Sequence, residues 1–201
     1  MDLKEIKKIS KKYMDKNDGA HDWGHVQRVY NLCIKIGKEE GGDLEVLERA
    51  ALLHDVGISE DRKNHEKVSA SIARDLLKNY EKVEEVAYCI ECHRFSKGIK
   101  PETLEAEILQ DADRLDVTGA MGITRTMVYT GNFNRPVHIP GKEVSPEYNG
   151  KSDTAIEHFY HKLLKIKDNL NTETAKEMAK HRHSYMESFL EEFFAEWDGK
   201  R

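Results

Sequence analysis

Apolar residues recur along most of this chain three, four and seven places apart, the spacing at which side chains share one face of an α-helix. No stretch alternates convincingly with a period of two. The pattern predicts an all-α fold, with helices over roughly 2–16, 22–38, 43–55, 64–79, 81–94, 101–116, 118–129, 153–166 and 172–197. Asp22 is placed to cap the second of these, and Gly57 to end the third just after His54 and Asp55. Pro101 suits the first turn of the sixth, where its missing N–H costs nothing. Gly and Pro collect between about 129 and 152, which predicts a long loop of the kind that covers a functional site. The long C-terminal helix carries Met178, Tyr185, Met186, Phe189, Leu190, Phe193 and Trp197 as a stripe, expected to serve as core or as the contact of a homodimer. His181 and His183 are expected on its solvated side.

Ionisable residues interrupt the apolar faces. His25 shares a face with Val29, Leu32 and Ile36, and His65 lies in line with Val68, Ile72 and Leu76. His93 continues the line of Val86 and Ile90, while His54 and Asp55 flank the stripe of Leu44, Leu47 and Ala51. Further on, Asp113 and Asp116 share a face, whereas Asp111 points away from Asp113 because two helical steps turn about 200°. A carboxylate buried without partners would neutralise rather than stay charged. A divalent cation removes that difficulty. Imidazole and carboxylate together form a set suited to Mn, Fe, Co, Ni, Zn or Mg, and a thiolate-free set fits a catalytic site better than a closed structural one.

The 201 residues are long enough for one sizeable core, so a single domain over 1–201 is expected. Charged residues make up 34% and apolar ones 38%, and the net charge of -5 argues against nucleic acid as the principal partner. A small phosphorylated molecule is compatible with that charge, because local cations can outweigh the global sign. Cys33, Cys89 and Cys92 imply no disulfide framework, and the isolated CxxC spacing reads as helix packing. No apolar run reaches membrane-spanning length and the first residues lack a signal-like stretch, which points to the cytoplasm. No GxGxxG or GxxxxGK[ST] run follows a strand.

The order His25, His54-Asp55, Asp113 on successive helices resembles the HD-domain superfamily of metal-dependent phosphohydrolases. The blocks from His21 to Val29, Ala51 to Gly57, His93 to Gly98, Glu105 to Asp116 and Gly119 to Ile123 are similar to one branch of small HD hydrolases, as is the run from His181 to Tyr185. The resemblance implies metal ligands at His25, His54, Asp55 and Asp113. It also implies that His65 and His93 either ligate a second metal or hydrogen-bond a phosphate. Asp55, Asp116 and His93 are the candidates for acid–base chemistry, and Arg94, Lys97, Arg114 and Arg125 for receiving phosphate charge. Some relatives carry a carboxylate three residues after the HD aspartate; this chain has Ile58 there, so proton transfer shifts to Glu60, Asp61 or Asp116 or is absent. The activity implied is hydrolysis of a small phosphorylated substrate, a nucleotide first of all, under the 129–152 loop. A non-catalytic nucleotide- or metal-binding module is the alternative that Ile58 keeps open.

Overall fold

Helices begin where the sequence supplies an oxygen for their unpaired first amides. In the computed structural model, which describes residues 1–15, 22–94, 97–142, 144 and 150–201, Asp2 caps α1 (Leu3–Met14) through a reciprocal box with Glu5. Asp22 caps α2 (Trp23–Glu40), and Asp43 caps α3 (Leu44–Leu53). At the far end of α2, Gly41 takes the left-handed conformation (φ 82°) that lets its N–H return to the Gly37 carbonyl. The described residues form nine α-helices and no strand, the all-α class expected of the pattern. None of these helices is long and apolar enough to cross a membrane.

The chain forms two compact units, residues 1–114 with 171–175, and residues 115–170 with 176–201. In the first, α3 lies against α1, α2, α4 (His65–Leu76) and α5 (Val83–Cys92), and α4 packs along α5. Ile6, Val29, Ile36, Leu47, Leu52, Leu53 and Ile90 are buried among them, with Ile108 and Leu109 of α6 (Leu104–Leu115). Gly57 sets the distance to α4: its N–H donates to Ser69 Oγ at 2.9 Å, and a Cβ there would stand 2.7 Å from the Ser69 nitrogen. Only glycine permits that approach. Gln110, buried on α6, donates to the Cys92 carbonyl at 2.8 Å and the Ile99 carbonyl at 3.0 Å, satisfying backbone freed where α5 ends.

The second unit holds α7 (Gly119–Asn132), α8 (Ala155–His161), a 3-10 helix (Leu163–Asn169) and most of α9 (Glu173–Trp197). The carbonyls of Pro136 and Val137 accept from the first amides of α8, so the described part of the 129–152 loop has a structural task. Residues 143 and 145–149 of that loop lie outside the described residues.

Several boundaries differ from the sequence expectation. The third helix stops at Leu53, which leaves His54 as its C-cap and Asp55 in the following turn. The sixth starts at Leu104 rather than Pro101, because the Thr103 hydroxyl is available to cap it, accepting from the Ala106 amide at 3.3 Å. The expected 153–166 helix breaks at Lys162; the tighter 3-10 turn that follows sets Leu163 and Ile166 on one side, and both are buried. On α9 Met186 and Leu190 are buried, whereas Tyr185 is 53% and Trp197 49% exposed. His183 is not on the solvated side. It is buried, 2.9 Å from Lys167 Nζ.

Candidate metal centre

The first turn of α2 is held by Asp22, whose carboxylate accepts from the His25 amide at 2.8 Å, and the helix then buries His25 with Val29 and Ile36. At the end of α3, His54 turns back and donates Nδ1–H to the Ala51 carbonyl at 2.8 Å. His65, opening α4, donates to the Arg62 carbonyl at 3.1 Å; His93, capping α5, donates to the Ile90 carbonyl at 2.6 Å. A carbonyl only accepts, so the proton of each neutral ring sits on Nδ1. Three imidazoles are thereby fixed in one tautomer with the Nε2 lone pair turned inward.

All of them meet at Asp55. Its Oδ2 lies 3.5 Å from His25 Nε2 and 3.6 Å from His54 Nε2, while Oδ1 lies 3.3 Å from His65 Nε2 and 3.5 Å from His93 Nε2. The imidazoles approach one another as closely, with Nε2 atoms 3.2 Å apart for His25 and His54 and 3.3 Å apart for His65 and His93. Asp113 joins through His25, its Oδ1 being 3.5 Å from His25 Nε2. Two groups of donors therefore share one carboxylate, His25 and His54 on one oxygen and His65 and His93 on the other.

The donor set fits divalent ions. Ligand atoms roughly 2.1 Å from a common ion stand about 3.0 Å apart at right angles and about 3.4 Å apart at tetrahedral ones. The observed separations of 3.2–3.6 Å are of that size. The approach of His65 Nε2 to His93 Nε2 at 3.3 Å calls for a proton on one of them or a cation between them. Burial pushes the His54 pKa down to about 4 and lowers that of His65, leaving both neutral and ready to ligate. Burial opposes protonation of His93 too, but the hydrogen bond and charge of Asp55 outweigh it and raise the pKa. Burial also works against the Asp113 carboxylate, yet the surrounding His25, His93 and His54 hold its pKa below the usual value.

The remaining candidates are engaged elsewhere. Arg94 Nη1 and Lys97 Nζ each lie 3.2 Å from the carboxylate of Glu66, a buried residue that the sequence reading passed over. The charge of Arg114, itself buried, is set against Asp111 and Asp113. Asp116, in the second unit, is ion-paired to Arg125. Ile58 is buried, Glu60 is exposed, and Asp61 accepts from the amides of Lys63 and Asn64, shaping the turn before His65. His21, Phe95 and Ser96 from the family-like blocks lie outside the described residues. Glu66 had one signal in sequence, an acid directly after an inward histidine; Gln110 and Ser69 had none.

Known proteins resemble this chain in sequence and in fold. The HD domain family model matches residues 22–118. YpgQ of Bacillus subtilis, an uncharacterised protein, is 36% identical over 85% of this chain and 81% of its own length. The crystal structure of YpgQ in complex with ADP superposes with a TM-score of 0.76 at 30% identity, covering 96% of both chains. An HD-superfamily hydrolase from Bacillus thuringiensis does so with a TM-score of 0.77 at 35% identity, over 98% of this chain and 96% of that one. Ribonuclease Y of Lawsonia intracellularis is 34% identical over 64% of this chain, which spans only 24% of that protein. With fold, donor geometry and relatives pointing the same way, the chain belongs to the HD-domain superfamily of metal-dependent phosphohydrolases.

Proposed function

We propose that this hydrolase acts on a nucleotide, releasing phosphate or pyrophosphate with two divalent ions held around Asp55. The observation that carries this reading is the sharing of the Asp55 carboxylate between two histidine pairs. His25, His54, Asp55 Oδ2 and Asp113 would hold one ion, and Asp55 Oδ1, His65 and His93 the other. Ions so bound supply a lowered water pKa and offset charge developing on a phosphoryl oxygen. The chain's own part is positioning. Nδ1–H bonds to Ala51, Arg62 and Ile90 keep the imidazoles aimed without rearrangement.

Arg94 and Lys97 share one counter-charge, Glu66, so this corner keeps a net positive charge for a phosphate. Asp116 serves in this scheme to hold Arg125 rather than to move a proton. ADP in the YpgQ structure supports a nucleotide as substrate, while the net charge of -5 weighs against RNA despite the likeness to Ribonuclease Y.

The test is a panel of nucleoside mono-, di- and triphosphates and an RNA oligonucleotide, each with Mn, Co, Ni, Fe, Zn or Mg, assayed for phosphate and pyrophosphate. Turnover of a nucleotide that disappears in Asp55→Ala supports the reading. Turnover of RNA alone, or hydrolysis left intact by Asp55→Ala, overturns it.

A further inference from the structure

His65 and His93 are each followed by a residue that repeats their meeting one place along the chain. The imidazoles stand 3.3 Å apart, and Glu66 and Arg94 stand 3.2 Å apart in parallel with them. The Glu66 carboxylate is only 2% exposed, yet it takes a second cation, Lys97 Nζ at 3.2 Å from Oε1. Both cations continue onto the chain just before Glu66. Arg94 Nη1 donates to the Lys63 carbonyl, and Lys97 Nζ to Asn64 Oδ1 at 3.4 Å. The segment 63–66 is thus stitched to the end of α5 by four contacts through Arg94 and Lys97, two of them to one buried carboxylate.

Two cations on one carboxylate, each at 3.2 Å, are the partners that an ionised acid requires when it is buried. A buried ion of this kind tolerates no vacancy among its partners, which makes the clamp stiff. Neighbouring residues are joined by one peptide about 3.8 Å long from Cα to Cα. Fixing Glu66 against Arg94 thus restricts how far His65 can move from His93.

We propose that Glu66 is a positioning residue: by clamping Arg94 and Lys97 it sets the separation of His65 and His93, and with it the affinity for the ion on the Asp55 Oδ1 side. The inference rests on the two-ion reading above and assigns Glu66 no contact with metal or substrate. Its effect is expected on the Asp55 Oδ1 group, because Glu66 and Arg94 are chain neighbours of His65 and His93, which meet that oxygen.

The experiment is calorimetric titration of the full chain with Mn2+ after chelation, so the readout is metal binding and not turnover. Wild type is expected to take two ions, and His65→Ala to identify the second by losing it. Glu66→Gln keeps the shape of the side chain and removes its charge; it should weaken that same ion roughly 10–100-fold and leave the other unchanged. Arg94→Gln should do likewise, and the double variant should lose no more than either single one, because both act through one clamp. Should Glu66→Gln fail to fold, Arg94→Gln combined with Lys97→Gln carries the same expectation from the more exposed side. Two ions bound with unchanged affinity in these variants overturn the proposal while leaving the two-ion reading standing, and so does equal weakening of both ions. A single ion bound by wild type overturns both.

Discussion

Asp111 and Asp113 leave the same helix two residues apart and meet opposite surroundings. Asp111 is fully buried and saturated with donors: the Asn171 amide at 2.9 Å, Asn171 Nδ2 at 2.9 Å, and the amide and hydroxyl of Thr172, each at 2.8 Å. Asp113 keeps 25% side-chain exposure and meets imidazole, with His25 Nε2 at 3.5 Å. Burial raises the Asp111 pKa against the pull of Thr172 and Asn171, whereas the histidines lower that of Asp113 although partial desolvation works the other way. A buried acid ringed by N–H and O–H donors belongs to the architecture; here it ties down residues 171–175, where α9 begins. An acid set among imidazoles whose lone pairs are already aimed inward belongs to a cation. Asp55, with four imidazole nitrogens within 3.6 Å, is the extreme of the second kind.

The largest effect tests that extreme. Asp55→Ala removes the carboxylate common to both donor groups, so metal content by elemental analysis should fall to background. The affinity lost should exceed the roughly 10–100-fold typical of an outer partner. Next comes Asp111→Ala. Taking away the acceptor leaves buried Thr172 and Asn171 donors unsatisfied, at about 1–3 kcal/mol for each group left unpaired. In a chain of this size that lowers Tm by about 2–4 °C per kcal/mol, read by circular dichroism, with metal affinity of the folded protein unchanged.

Asp113→Asn should do the reverse. It should weaken one ion about 10–100-fold and leave the Tm of the metal-free protein within a degree or two, since Asn fills the same space. If Asp111→Ala costs metal, or Asp113→Asn costs stability, the two carboxylates do not divide the work as described.

Helical geometry separates the two acids in advance, while the choice of Asp113 for the metal comes from the family resemblance. A turn of about 200° between residues two apart separates the two acids whatever the rest of the fold does. Likewise the spacing of His25 from Val29, Leu32 and Ile36 required an inward ring, because those apolar positions have only one place to go. What stayed hidden depends on partners remote in sequence. Glu66 reads as an ordinary first-turn acid until Arg94 and Lys97 arrive from about 30 residues away. His183 looked solvated among charged neighbours, and what it meets is Lys167 from the preceding 3-10 helix. The break at Lys162 was equally silent, since Leu163 and Ile166 satisfy a 3.6-residue face as well as a 3-10 one. Period reveals which side of a helix is inside, not which distant group waits there.

The smallest effect separates the parts of the Asp111 cluster. Asn171→Ala deletes one donor, Nδ2, which reaches Asp111 Oδ1 at 2.9 Å and Gln110 Oε1 at 3.1 Å. The Asn171 and Thr172 amides and the Thr172 hydroxyl remain on the carboxylate. One of several donors to a charged acceptor is worth about 1–2 kcal/mol, well short of the loss in Asp111→Ala. Gln110 still donates to the Cys92 and Ile99 carbonyls, so the end of α5 and His93 keep their support and Mn2+ binding should be unaltered. Weaker Mn2+ binding in Asn171→Ala, with a Tm that barely moves, would mean that the two faces of α6 are coupled. The contrast between Asp111 and Asp113 would then be one of degree rather than of kind.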